Sequence, residues 1–229
     1  MTVLPVRGKP NTQQQQGTRL VAIILAGGQS SRMGRDKALM TIAGQPLIHR
    51  TCEVAIACAD AVYVVTNRGD RYRSLLPPTV RLLAEPTADV PPGPLVALGY
   101  ALGKICTEED IAPDWVLALA CDLPNLSAAV LRDWRQGLAD LAPEVVAYLP
   151  KRGDRWEPLC GFYRAAVGAS MRKYGESGGQ GSQTGSKGRS LQAWLHQQSV
   201  AAIPSVEDYL LVNLNTPADW AQWETAINS

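Results

Sequence analysis

The unbroken apolar run VAIIL, from Val21 to Leu25, is followed almost at once by the paired glycines Gly27 and Gly28. An apolar run without alternation reads as a strand buried on both faces, as in a parallel sheet with helices above and below it. Where it stops, the glycines let the backbone turn sharply and leave no side chain over the turn. Backbone N–H groups in such a turn can point at an anion. Arg32 and Lys37 then add two positive charges within a few residues, suited to neutralising a triphosphate. The stretch reads as a nucleotide grip.

Spacing excludes two familiar grips. A Walker A loop needs G-x-x-x-x-G-K-[ST], whereas Gly28 and Gly34 stand one residue too far apart and Arg35 follows the second glycine. A dinucleotide fingerprint needs G-x-G-x-x-G, which GGQSSR from Gly27 to Arg32 fails. The run LAGGQSSRMGRDK, Leu25 to Lys37, instead resembles without a break the L-A-G-G-x-S-x-R-M-G-x-D-K pattern of nucleotidyltransferases that include the molybdenum cofactor guanylyltransferases. The resemblance implies a GT-A-like nucleotidyltransferase that takes GTP with Mg²⁺. It also implies that Leu25, Ala26, Gly27, Gly28 and Lys37 contact the nucleotide.

A length of 229 residues suits one α/β domain, here residues 19–229. The hydrophobic share of 46% is that of a soluble globular protein with a full core. A net charge of +1 gives no case for nucleic acid or an acidic membrane as main partner, and leaves room for a small polyanion held by a local basic loop. Five cysteines are scattered without C-x-x-C, and there are only two histidines, His49 and His196, each read as an ordinary polar helix residue. A structural zinc site is therefore not expected. The odd cysteine count favours a reducing interior, and the expected location is the cytoplasm. Residues 1–18, with Pro5, Pro10 and four glutamines from Gln13 to Gln16, read as a disordered leader rather than a signal peptide. No apolar run approaches the roughly 20 residues of a membrane span.

Taken in order, Ala38–Ile42 reads as a short strand, and Pro46 as the first residue of a helix to about Cys58. Ala61–Thr66 is a second buried strand with Asn67 just past its end, Arg71–Leu76 a short helix, and Val80–Ala84 a third strand. This alternation predicts an α/β fold with a doubly wound, mostly parallel, Rossmann-like sheet and helices on both faces. Ligands in such sheets sit outside the carboxyl ends of the strands, where the Gly27 turn and Asn67 fall. The next stretch, Glu85 to Pro94, holds four prolines and leads into a helix expected from Pro94 to about Lys104. Its Asp89 and following PPGPL resemble the family's D-x-x-G-P-L segment beside the guanosine. By that resemblance Asp89 meets the guanine donors and Gly93 admits the nucleotide against bare backbone, while Asn67 is a further nucleotide contact.

Asp114 to Pro124 carries the second strong signal. The apolar run Trp115–Ala120 ends with Asp122 on the ligand edge, and Pro124 stops the strand. A carboxylate there suits Mg²⁺, which takes few protein ligands plus phosphate oxygens; an ordinary strand-end cap is the other role open to it. Cys121-Asp122-Leu123-Pro124 resembles the family's metal-binding aspartate segment, and Cys121 is read as a buried strand residue. Ser127 caps a helix to about Ala139, and Glu144–Leu149 is a strand. A polar turn with Lys151, Arg152 and Arg155 leads to a strand over Trp156–Tyr163, whose pattern resembles the family's acceptor-facing segment. Those cations meet an anionic acceptor or form a solvated turn. Residues 175–189 are a Gly/Ser-rich insertion, read as a flexible linker and longer than in the family. Ser190–Gln198 reads as a helix and Val200–Ile203 as a short strand. NLNTPAD, Asn213 to Asp219, resembles the family's tail: Thr216 and Pro217 cap a last helix, and Asn213 and Asn215 face the pterin-side acceptor.

The resemblance thus implies transfer of GMP from Mg·GTP to the phosphate of molybdopterin cofactor, with Arg32, Lys37 and Asp122 as the catalytic set. It implies transient contact with molybdopterin-insertion proteins or molybdoenzymes. A CTP-dependent cytidylyltransferase, or a nucleotidyltransferase acting on another sugar or metabolite, is the enzymatic rival, and CTP-using relatives tend to carry L-A-A-G where this chain has Gly27. A GTP-binding cofactor-delivery adaptor without chemistry is the rival from another class.

Overall fold

The computed structural model describes residues 18–27, 35–85, 93–109, 112–176 and 190–227. The expected leader falls almost wholly outside these residues, and so do Gly28, Arg32 and Asp89.

Both faces of β1 (Leu20–Leu25) are apolar, and that places it inside the sheet: Leu20, Val21, Ile23 and Ile24 are each 0% exposed. Fully burying one such side chain contributes about 1.5–3 kcal/mol, so a polar replacement in this strand is costly on either face. After β1 come β2 (Thr41–Ile42) and β3 (Gln45–Pro46), paired as a small hairpin, then α1 (Leu47–Ile56), β4 (Ala61–Thr66), α2 (Gly69–Tyr72), β5 (Arg81–Ala84) and α3 (Gly93–Glu108). The chain continues through β6 (Trp115–Ala120), α4 (Ala128–Gln136), β7 (Ala147–Leu149), the hairpin β8 (Lys151–Arg152) and β9 (Arg155–Trp156), and β10 (Cys160–Arg164). It ends with α5 (Gly168–Glu176), α6 (Leu191–Leu195), β11 (Val200–Ala202) and α7 (Pro217–Ile227).

Among the described residues, seven strands form the main sheet in the order β11-β7-β10-β6-β1-β4-β5. Only β10 runs against its neighbours, pairing antiparallel with both β6 and β7. One face of β1 packs with Ile48, Cys52 and Ala55 of α1 and Leu131 and Trp134 of α4. The other packs with Leu95, Leu98, Leu102 and Ile105 of α3, Met171 of α5 and Trp194 of α6. The doubly wound, mostly parallel expectation is borne out. Because β1, β4, β5 and β6 are parallel, their carboxyl ends share one edge. β10 enters from that edge, and Leu159, just before it, accepts a hydrogen bond from the Ala120 N–H at 2.9 Å.

Several local expectations need correction. Ala38–Ile42 is not one strand: a 3₁₀ turn covers Lys37–Leu39 and only Thr41–Ile42 is extended. The cause is Asp36, whose side chain accepts from the Ala38 N–H and starts a turn. Pro46 lies in β3 and precedes the helix. The segment expected as a helix over Arg71–Leu76 begins at Gly69 and tightens to 3₁₀ geometry over Arg73–Leu75. The third strand starts at Arg81 rather than Val80, and α3 runs on to Glu108 rather than Lys104. The strand read over Glu144–Leu149 covers only Ala147–Leu149. The strand read over Trp156–Tyr163 is two pieces, because β9 belongs to a hairpin and Pro158 lacks the N–H a continuous ladder needs. The helix read over Ser190–Gln198 is the shorter α6, and the following strand ends at Ala202. The Gly/Ser-rich insertion also starts later than residue 175, since α5 reaches Glu176 and a Cβ on Gly175 would meet Val96 at 2.8 Å. Residues 177–189 lie outside the described residues.

Candidate active site

The turn after β1 is shaped by its neighbour strand. The Ala26 N–H donates to Val65 O at 3.0 Å, and the buried Thr66 hydroxyl donates to Ala26 O at 2.9 Å. Thr66 Oγ1 also accepts from the Arg68 N–H, so one hydroxyl ties the ends of β1 and β4 together. Leu25, Ala26 and Gly27 thereby line a cavity of about 340 Å³ at the carboxyl edge of the sheet. Lys37, Tyr72, Glu85, Gly93, Cys121 and Asp122 contribute to the same wall. Its size fits a nucleotide-scale ligand.

Asp36 and Lys37 divide the work at the end of the glycine-rich loop. Asp36 is held by the Arg68 guanidinium at 3.0 Å and by the Tyr72 hydroxyl, which lies 2.9 Å from Oδ2 and 3.0 Å from Oδ1. Burial and the adjacent Asp36 push the Tyr72 hydroxyl pKa well up, so it stays a donor. The clamp fixes the 3₁₀ turn that carries Lys37. The Lys37 ammonium donates to Asn215 Oδ1 at 2.5 Å and stands 3.5 Å from Asp122 Oδ2.

Asp122 follows β6, and its backbone carbonyl accepts from the Leu214 N–H at 3.0 Å. Its other carboxylate oxygen, Oδ1, is buried with no hydrogen-bond partner among the described residues. Burial raises the Asp122 pKa, and the Lys37 ammonium opposes the rise. An unpartnered buried carboxylate oxygen beside a cation suits a divalent ion that takes most of its other ligands from water and phosphate. Among the described residues no group of three or more His, Cys, Asp or Glu side chains gathers for a metal, and Asp122 is the residue that could hold one at this wall. The Cys121 thiol lines the cavity, and burial pushes its pKa up to about 12, which keeps it protonated and unreactive.

Glu85 was not singled out by sequence. It follows β5, its N–H donates to Thr66 O at 3.1 Å, and its carboxylate lies over Gly27: a Cβ there would stand 2.7 Å from Oε2. Burial raises its pKa. The bareness of Gly27 is therefore space for a carboxylate. Gly93 also lines the cavity, but its requirement is conformational, with φ at +71° and nothing among the described residues within 4 Å of an added Cβ.

Other expected residues sit apart from this group. Asn67 is exposed one residue past β4 and does not line the cavity. Arg155 is exposed on the β8–β9 hairpin, while Arg152 of that hairpin donates to Leu211 O and lies 3.7 Å from Glu157. The Asn213 side chain donates to Leu211 O at 3.1 Å, and of the two tail asparagines Asn215 reaches Lys37.

The MobA-like NTP transferase domain family matches residues 22–200. A Nostoc sp. protein named "Probable molybdenum cofactor guanylyltransferase" is 42% identical over 202 residues, covering 88% of this chain and 89% of the relative. A Synechococcus elongatus protein of the same name is 42% identical over 199 residues, covering 87% and 95%. Among solved structures, molybdopterin-guanine dinucleotide biosynthesis protein A from Archaeoglobus fulgidus superposes with a TM-score of 0.67 at 19% identity, covering 91% of this chain and 98% of that one. At that identity the superposition speaks for the fold.

Proposed function

The chain belongs to the MobA-like NTP transferase family and is a nucleotidyltransferase, and from that membership we propose that it joins GMP from Mg·GTP to the phosphate of molybdopterin cofactor, releasing pyrophosphate. The observation that carries the reading is the pairing at the end of the cavity: the Lys37 ammonium, 3.5 Å from Asp122, beside a carboxylate oxygen with no partner among the described residues. A cation and a free lone pair so placed suit a triphosphate and its metal.

In this reaction an acceptor phosphate oxygen attacks the α-phosphorus of GTP, and the bond to the β-phosphate oxygen breaks with its electron pair leaving on pyrophosphate. No covalent enzyme intermediate is required, and the protein's task is alignment and charge stabilisation. Gly27 and the glycine-rich loop, with Gly28 and Arg32, would hold the phosphates, and Lys37 would offset charge developing on the leaving group. Asp122 would hold Mg²⁺, which when bound supplies positive charge to the phosphate oxygens. Glu85, and Asp89 in the following segment, would offer carboxylates to guanine, whose N1–H and exocyclic amine both donate. Asn67 would contact the nucleotide from outside the cavity wall, and of Arg155, Asn213 and Asn215, expected to face the acceptor, Asn215 is the one joined to the site, through Lys37. Five free cysteines accord with work in a reducing cytoplasm, and no described helix is long and apolar enough to cross a membrane. Transient contact with molybdopterin-insertion proteins or molybdoenzymes would follow from such a product.

The test is pyrophosphate release with Mg²⁺ and molybdopterin cofactor, from GTP and from CTP, each against a blank without acceptor. Acceptor-dependent release from GTP alone is expected. Release from CTP alone would overturn the base assignment, and tight GTP binding without release would favour the adaptor.

A further inference from the structure

Lys37 and Asn215 are 178 residues apart in the chain, yet their side chains meet at 2.5 Å. An ammonium has only hydrogens to give, so the amide oxygen of Asn215 is the atom that must face it. What places that oxygen is the start of α7. The N–H groups of Asn215 and Thr216 both donate to Asp219 Oδ2 at 2.8 Å, and the Asp219 N–H donates back to Thr216 Oγ1 at 3.1 Å. On the other side, the Leu214 N–H is bonded to the Asp122 carbonyl, and Leu214 is buried against Leu47 and Trp223. The tail is thus fastened at both ends of a three-residue span whose middle residue holds Lys37.

We propose that Asp219 is a positioning residue for the reaction: by holding the Asn215 and Thr216 backbone it aims Asn215 Oδ1, which holds the Lys37 ammonium beside Asp122. The reciprocal bonds form a helix capping box, and ordinary capping would account for Thr216 and Asp219 alone. Capping does not account for the Asn215 N–H, which lies outside the helix, being bonded to the same carboxylate oxygen as the Thr216 N–H. The inference rests on reading Lys37 as the cation of the transfer reaction.

Four proteins separate the possibilities: wild type, Asp219→Ala, Asp219→Asn and Thr216→Val. The readouts are kcat and both KM values for acceptor-dependent pyrophosphate release, with melting temperature beside them. Asp219→Ala removes the acceptor for both N–H groups and is expected to lower kcat about 10- to 100-fold with both KM values nearly unchanged. Asp219→Asn keeps an oxygen acceptor and loses the charge, and is expected to restore kcat to within about threefold of wild type by keeping that geometry. Thr216→Val weakens the helix cap without touching the Asn215 N–H, and is expected to lower the melting temperature while sparing kcat. Equal loss in Asp219→Ala and Asp219→Asn would overturn the proposal in favour of charge alone. Equal kcat loss in Thr216→Val would reduce Asp219 to a helix cap. A rise in acceptor KM with unchanged kcat would make the tail an acceptor wall only. Absence of release in the wild type itself is a separate outcome, and it would remove the functional reading beneath the proposal.

Discussion

Lys37 Nζ lies 3.5 Å from Asp122 Oδ2, joining the turn that ends the glycine-rich loop to the carboxyl end of β6. Removing either partner has a different physical consequence. Lys37→Met removes the described cation beside a buried carboxylate, whereas Asp122→Asn leaves Lys37 its bond to Asn215. Both variants are expected to lose turnover by at least about 10³-fold, on the scale of losing a major electrostatic contact in a transition state. Lys37→Met is also expected to lose about 1–3 kcal/mol of stability at neutral pH, and Asp122→Asn to lose less or gain. Denaturant melts beside turnover assays check the asymmetry.

The same pair sets a pH dependence. Burial raises the Asp122 pKa from its ordinary value, so the folded state holds that proton more tightly than the unfolded chain does. The group's contribution to stability therefore falls as pH rises from the ordinary to the raised value. The proposed Mg²⁺ binding by Asp122 has the opposite sign, because it would need the ionised form and so the pH range above the raised pKa. Lys37 opposes the rise, so Lys37→Met should move the acid limb of Mg²⁺ binding to still higher pH. Titration calorimetry of Mg²⁺ with bound GTP at a series of pH values would show the limb; a shift to lower pH would contradict the account.

Gly27 and Glu85 form a second coupled pair, since a Cβ on Gly27 would stand 2.7 Å from Glu85 Oε2. Gly27→Ala must push that carboxylate aside. Both Gly27→Ala and Glu85→Ala are expected to weaken GTP binding about 10- to 100-fold, the worth of a charge-assisted contact, with the fold intact. The double variant should be little worse than either single one. Fluorescence titration with a guanine nucleotide measures all three.

Tyr72→Phe removes the hydroxyl that holds both Asp36 oxygens. A loss of about 1–2 kcal/mol is expected for an acceptor left short of one charge-assisted bond. In a chain of this size that corresponds to a melting temperature lower by roughly 2–8 °C. Calorimetry checks it, and an unchanged melting temperature would mean that Arg68, Arg71 and the Ala38 N–H suffice to fasten Asp36.

Much of this arrangement is legible in one dimension because it is local. VAIIL, AVYVVT and WVLALA are strands buried on both faces, and such runs announce themselves without partners. The glycine turn, Lys37 and Asp122 could be found because the first two share one loop and the third ends a strand whose edge the fold class dictates. Ala38–Ile42 misled because a single side chain, Asp36, outweighs apolar composition by starting a turn. Trp156–Tyr163 misled because its first residue, Trp156, pairs with Lys151 in the β8–β9 hairpin and the strand resumes only at Cys160. Glu85 and the Tyr72 clamp had no local signal: each matters only through a residue more than 30 positions away. The link from Asp219 to Lys37 through Asn215 is invisible for the same reason, since capping explains the tail motif well enough in sequence.

The most direct test of the central claim is the fate of two labels in GTP, one on the α-phosphate and one on the γ-phosphate, with Mg²⁺ and molybdopterin cofactor present. The account predicts the α label in the cofactor product and the γ label in pyrophosphate, with neither transfer in Asp122→Ala or Lys37→Ala. The γ label in orthophosphate, or in the acceptor, would contradict it and make the protein a GTPase or a kinase.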